Sequence, residues 1–148
     1  MTVKTDHREL VKAIAVGNTE KANALNDRIP DDEREDFHTF VTAFFSLMLE
    51  QRFKDDSSRE AILAFVDEMR YDYRNTEPPI KPLAVEGLIR ASCGEEHFFD
   101  EISPTDTLRS EFLVIGKIAA QSPIVIPRIE DFLTDAETLA AQWASEAG

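Results

Sequence analysis

The sequence predicts an all-α protein, a single-domain helical bundle of six to eight helices around one hydrophobic helix at about residues 31–53. Three observations carry that prediction. The stretch Phe37–Phe53, FHTFVTAFFSLMLEQRF, places Phe37, Phe40, Val41, Phe44, Phe45 and Met48 at the spacing of one helical face. Glycine is scarce, at 5 residues, and the 7 prolines fall mostly at segment ends, where they leave helix interiors intact. No region sustains the apolar–polar alternation of a half-buried strand.

The central helix is apolar nearly all round. Ala43, Leu47 and Leu49 widen its buried face until only a strip of Thr39, Thr42, Ser46 and Glu50 is polar, so neighbours must cover it from several sides. The other elements follow in order. The first helix is expected to start at Asp6, with Glu9 completing a capping box. It carries Leu10, Val11 and Ile14 and stops at Gly17. Asn18 caps a second helix bearing Ala22 and Leu25, which ends before Pro30. Asp31, Asp32, Glu33, Glu35 and Asp36 crowd the start of the central helix, where carboxylates meet the positive end of the helix dipole. Asp55-Asp56 marks a turn, and Ser57 to Glu60 reads as the capping box of a fourth helix. That helix buries Ile62, Phe65, Val66, Met69 and Tyr73.

Asn75–Pro82, NTEPPIKP, breaks the helical pattern with three prolines and is the candidate boundary between subdomains of the 1–148 domain. Pro82 then opens a fifth helix, with Val85, Leu88 and Ile89 inward and Gly94 as its stop. A short sixth segment carries Phe98, Phe99 and Ile102. Ser103-Pro104 pairs a cap with a first-turn proline ahead of a helix bearing Leu108, Phe112, Ile115 and Ala119. Ile124–Ile126 is strand-like but too short for a sheet. Pro127 opens the last helix, which carries Ile129, Phe132 and Leu133 and continues or restarts at Thr134.

Composition narrows the function classes. The net charge of −13 repels phosphate backbones and anionic lipid, so neither nucleic acid nor a membrane is an expected partner. The charge is uneven: residues 1–30 sum to +1, whereas residues 31–60 sum to −5. An acid-seeking surface should therefore involve the first thirty residues or the arginines of the middle of the chain. A single cysteine permits no internal disulfide and fits a reducing compartment. Met1–Asp6 is polar, and no apolar run approaches the ~20 residues of a membrane span. The expected location is the cytoplasm.

Chemical motifs are few. Glu35-x-x-His38 has the spacing of a di-iron carboxylate bundle, but such a centre needs a second copy and none occurs. Cys93 lies at a helix C-terminus, where the dipole opposes a thiolate, and reads as a buried thiol. Leu10–Asn26 fails as helix-turn-helix, because Asn18, Asn23 and Asn26 stand where apolar residues are required. No catalytic residue, metal ligand or cofactor is expected.

Arg70-Tyr71-Asp72-Tyr73-Arg74 is the strongest surface signal. Tyr73 joins the apolar stripe, while Tyr71 points about 180° away from it. Tyrosine and arginine are the residues that anchor interfaces, so Arg70, Tyr71, Arg74 and the nearby Lys81 form the candidate binding surface for a protein partner or an anionic group. The competing structural reading has Asp67 and Asp72 neutralise the arginines while the proline linker folds over Tyr71. The expected function is an interaction, regulatory or adaptor module that engages a protein partner or a second copy of itself. The alternative is a small-molecule ligand site between helices, sensory or enzymatic, lined by Phe, Met and Tyr with one or two arginines.

Overall fold

The computed structural model describes residues 2–76, 79–93 and 102–147. Among them the chain forms seven α-helices and no strand, and the helices pack as a bundle around the predicted central element.

Helix α1 (Thr5–Val16) begins one residue earlier than expected, with Lys4 at its cap. His7, not Glu9, reaches back: its Nδ1 accepts the Lys4 N–H at 3.1 Å. Asp6 and Glu9 instead pair with Arg28 at 3.1 Å and Lys21 at 3.3 Å, which ties α1 to α2 (Thr19–Arg28). Between them Gly17 takes a left-handed φ of 79°, and the Asn18 N–H closes onto the Ala13 carbonyl at 2.8 Å. Asn18 Oδ1 then accepts the Lys21 N–H, as its sequence position predicts. A Cβ at residue 17 would meet nothing within 4 Å, so backbone strain alone sets the cost of Gly17→Ala. The expected loss is about 1 kcal/mol in a urea melt, and an unchanged midpoint would contradict the left-handed turn.

A 3-10 turn at Asp31–Glu33 leads into α3 (Arg34–Phe53). Arg34 donates to the side-chain oxygen of Asn26 at 2.7 Å and to its carbonyl at 2.6 Å, so it satisfies a carbonyl left over at the end of α2. Phe37, Phe40, Val41, Ala43, Phe44, Phe45 and Met48 are completely buried. The chief neighbours of α3 are α6 and α7, with α1 touching it as well. That is the all-round cover its composition demands.

Helix α4 (Arg59–Asp72) is capped by Ser58, whose hydroxyl accepts the Ala61 N–H at 3.2 Å, one residue later than the expected Ser57–Glu60 box. Ile62, Phe65, Val66 and Met69 are buried, and the half-buried Tyr73 donates to the Leu113 carbonyl at 3.3 Å. Helix α5 (Pro82–Ser92) buries Val85, Leu88 and Ile89 and packs on α4 and α6. Cys93, expected to be buried, is exposed at the cap of α5. Gly94 and the short segment with Phe98 and Phe99 lie outside the described residues.

Helix α6 (Pro104–Gln121) starts at the predicted cap, with the Ser103 hydroxyl accepting the Asp106 N–H. Ile124–Ile126 forms no strand. Val125 is buried while Ile124 and Ile126 face outward, and Pro127 lies in a 3-10 turn at Ile126–Arg128. Helix α7 (Ile129–Ala147) then runs unbroken past Thr134, and the chain bends by 108° between the helical stretches Pro104–Gln121 and Ile126–Glu146. Ion pairs bind the outer helices together. Arg8 lies 3.0 Å from Glu130 and 3.1 Å from Glu137, and Lys12 lies 2.9 Å from Glu130. The nearly buried Lys117 of α6 contacts Asp72 and lies 3.6 Å from Glu68 on α4. Among the described residues no single helix is long and apolar enough to cross a membrane.

Candidate functional site on the outward face of α4

Helical geometry divides α4 into two faces. Ile62, Phe65, Val66 and Met69 fill the inner one. Leu63, Asp67, Arg70 and Tyr71 recur at three- and four-residue intervals on the outer one, and Arg74 follows in the turn just past the end of the helix. Tyr71 is 67% exposed, so no segment among the described residues covers it. The Arg74 guanidinium stacks over its ring, 4.1 Å from the centroid, and donates to the Tyr71 carbonyl at 2.7 Å. That hydrogen bond satisfies one of the carbonyls exposed at the end of α4, and the cation–π contact holds the ring in place. The result is an exposed aromatic–guanidinium pair at the end of α4.

The neutralising acids are only partly where the structural reading required them. Asp67 lies 3.7 Å from Arg70, with both side chains largely solvated, so the pair is weak. Asp72 turns the other way, to Lys117. Arg74 forms no ion pair among the described residues. Lys81 stands apart: its Nζ lies 2.9 Å from Asp106 of α6, and no described contact joins it to Tyr71 or to either arginine. The structure therefore groups Arg70, Tyr71 and Arg74 at the outer end of α4 and commits Lys81 to the start of α6.

Elsewhere, a cleft of about 440 Å³ opens where α4, α5 and the start of α6 meet, lined by Arg59, Leu83, Arg90, Ile102 and Asp106 among others. No Phe, Met or Tyr among the described residues lines it; Phe37, Phe40, Phe44, Phe45, Phe65, Met48 and Met69 are spent in the core. Among the described residues no group of three or more His, Cys, Asp or Glu is placed to hold a metal ion. Glu35 is exposed, and the half-buried His38 has its pKa lowered by burial and by Arg34.

Two buried ionisable groups carry no signature in the motifs. His7 is fully buried, its Nε2 3.1 Å from Glu33 Oε1. With Nδ1 accepting from Lys4, the neutral ring carries its proton on Nε2 and donates it to Glu33. Glu111 of α6 is 2% exposed, and Thr42 Oγ1 donates to it at 3.4 Å. Burial pushes its pKa up to about 8, against the opposing hydrogen bond from Thr42. Its place was readable: Glu111 precedes Val114, Ile115 and Ile118 by three, four and seven residues, on the stripe that faces inward. No protein-family model, curated protein or solved structure matches this chain.

Proposed function

We propose that this chain is a protein-interaction module, regulatory or adaptor in kind and without its own catalysis, that engages its partner through the outward face of α4. The observation that carries this reading is Tyr71, a large aromatic left 67% exposed with the Arg74 guanidinium stacked over its ring. A solvated tyrosine contributes little to folding, whereas an aromatic beside arginines is what partner surfaces bury at their centres. Among the described residues the cleft between α4, α5 and α6 shows no aromatic lining of the kind the alternative reading calls for, so the α4 face carries more weight.

The double change Tyr71→Ala with Arg74→Ala separates a binding face from a structural one. Stability should fall by no more than about 1 kcal/mol, since one exposed side chain and one carbonyl contact are lost. Binding, read as self-association in sedimentation and as capture of protein by the immobilised chain, should weaken about tenfold or more. Unfolding with unchanged binding per folded molecule would overturn the proposal.

A further inference from the structure

The 29 acidic residues outnumber the 16 basic ones, so a surface cation in this chain should readily find an internal carboxylate. Most do. Arg8, Lys12, Lys21, Arg28, Lys81 and Lys117 all lie within 3.3 Å of one. The two arginines flanking Tyr71 do not: among the described residues Arg74 has no ion pair, as Lys4, Lys54 and Arg59 have none, and Arg70 has only the solvated contact at 3.7 Å. Unpaired acids are the expected residue of the surplus, but one group of them is concentrated. In the run from residue 31 to residue 36, Glu33 is taken by His7 and Asp36 Oδ2 by the Thr2 N–H. Asp31, Asp32 and Glu35 are exposed and have no side-chain partner among the described residues.

We infer that the Arg70–Tyr71–Arg74 face of one copy docks on the acidic start of α3, at Asp31, Asp32 and Glu35, of a second copy. This rests on the reading of α4 as the interaction face and names its occupant. Within one molecule no described contact joins the two surfaces, and between two copies their charges are complementary. Arranged about a two-fold axis the contact occurs twice and closes a dimer. The overall charge of −13 opposes approach at long range. Salt at physiological strength confines that repulsion to about 8 Å, so the local match decides the docked geometry.

Sedimentation of the full chain, from micromolar to submillimolar concentration, tests this. A reversible dimer is expected. Arg70→Glu with Arg74→Glu should weaken it at least tenfold, and so should Asp31→Lys with Asp32→Lys, since each variant sets like charges against each other at both contacts. Mixing the two variants restores opposite charges at both contacts, so a heterodimer should form where neither variant dimerises alone. Misfolding cannot produce that rescue. A dimer insensitive to both variants, or no rescue on mixing, would overturn the proposal. A chain monomeric at every concentration would overturn it too. In that case, capture of a different protein that still depends on Tyr71 and Arg74 would leave the interaction reading standing.

Discussion

Replacing Glu111 by glutamine is expected to abolish a loss of stability that the native chain shows on going from about pH 7 to pH 8. The folded carboxyl titrates at about 8 because burial penalises its charge, against an ordinary value of 4.5. Below 4.5 both the folded and the unfolded chain hold this proton. Between 4.5 and about 8 the unfolded chain has released it while the folded chain keeps it, so the unfolded state binds fewer protons and stability falls as pH rises. The slope is at most about 1.4 kcal/mol per pH unit, and it ends above the folded pKa. His38, with its lowered pKa, acts in the opposite sense at and below its ordinary 6.5, as its unfolded form binds the extra proton there. The His38 contribution fades above 6.5, so the Glu111 slope stands clearest from about pH 7 to 8, and comparison with Glu111→Gln separates the two. Urea melts of the native chain and of Glu111→Gln across that interval measure the difference. A flat native profile would mean that the carboxylate is ionised and solvated in the folded protein.

Phe44→Ala should be among the most damaging single truncations in the core. Phe44 is completely buried in the middle of α3, which packs against α6 and α7. Loss of its ring removes apolar contact and leaves a cavity that rigid helices close only in part, a cost of roughly 3–5 kcal/mol. Domains of this kind are stable by about 5–15 kcal/mol in total, so the variant stands near the limit of folding. A loss under about 1 kcal/mol would show that Phe44 is not enclosed.

Periodicity and punctuation made the helices legible. Phe37 through Met48 repeat at helical spacing, and every one of those six residues is buried. Asn18 and Ser103 cap the helices that their positions predict, since a short polar side chain before an apolar run has few better uses. Local pattern failed where a distant residue decided the outcome. Asp6 and Glu9 resemble a capping box, but Arg28 and Lys21 from the next helix hold both, and His7 turns inward to meet Glu33. The outward direction of Tyr71 followed from its angle on α4. That Asp72 would serve Lys117 and leave Arg74 to stack on the ring depends on the packing of α6, which no single-helix pattern encodes.

Photocrosslinking through residue 71 tests the role of the α4 face most directly. A photoreactive phenylalanine in place of Tyr71 occupies a side chain already exposed, so the fold should be unaffected. A discrete adduct to a second copy or to another protein is expected at this position. The same probe at Asp135, exposed on α7, should give none. No adduct at 71, or equal adducts at both positions, would contradict the assignment of α4 as the interaction surface.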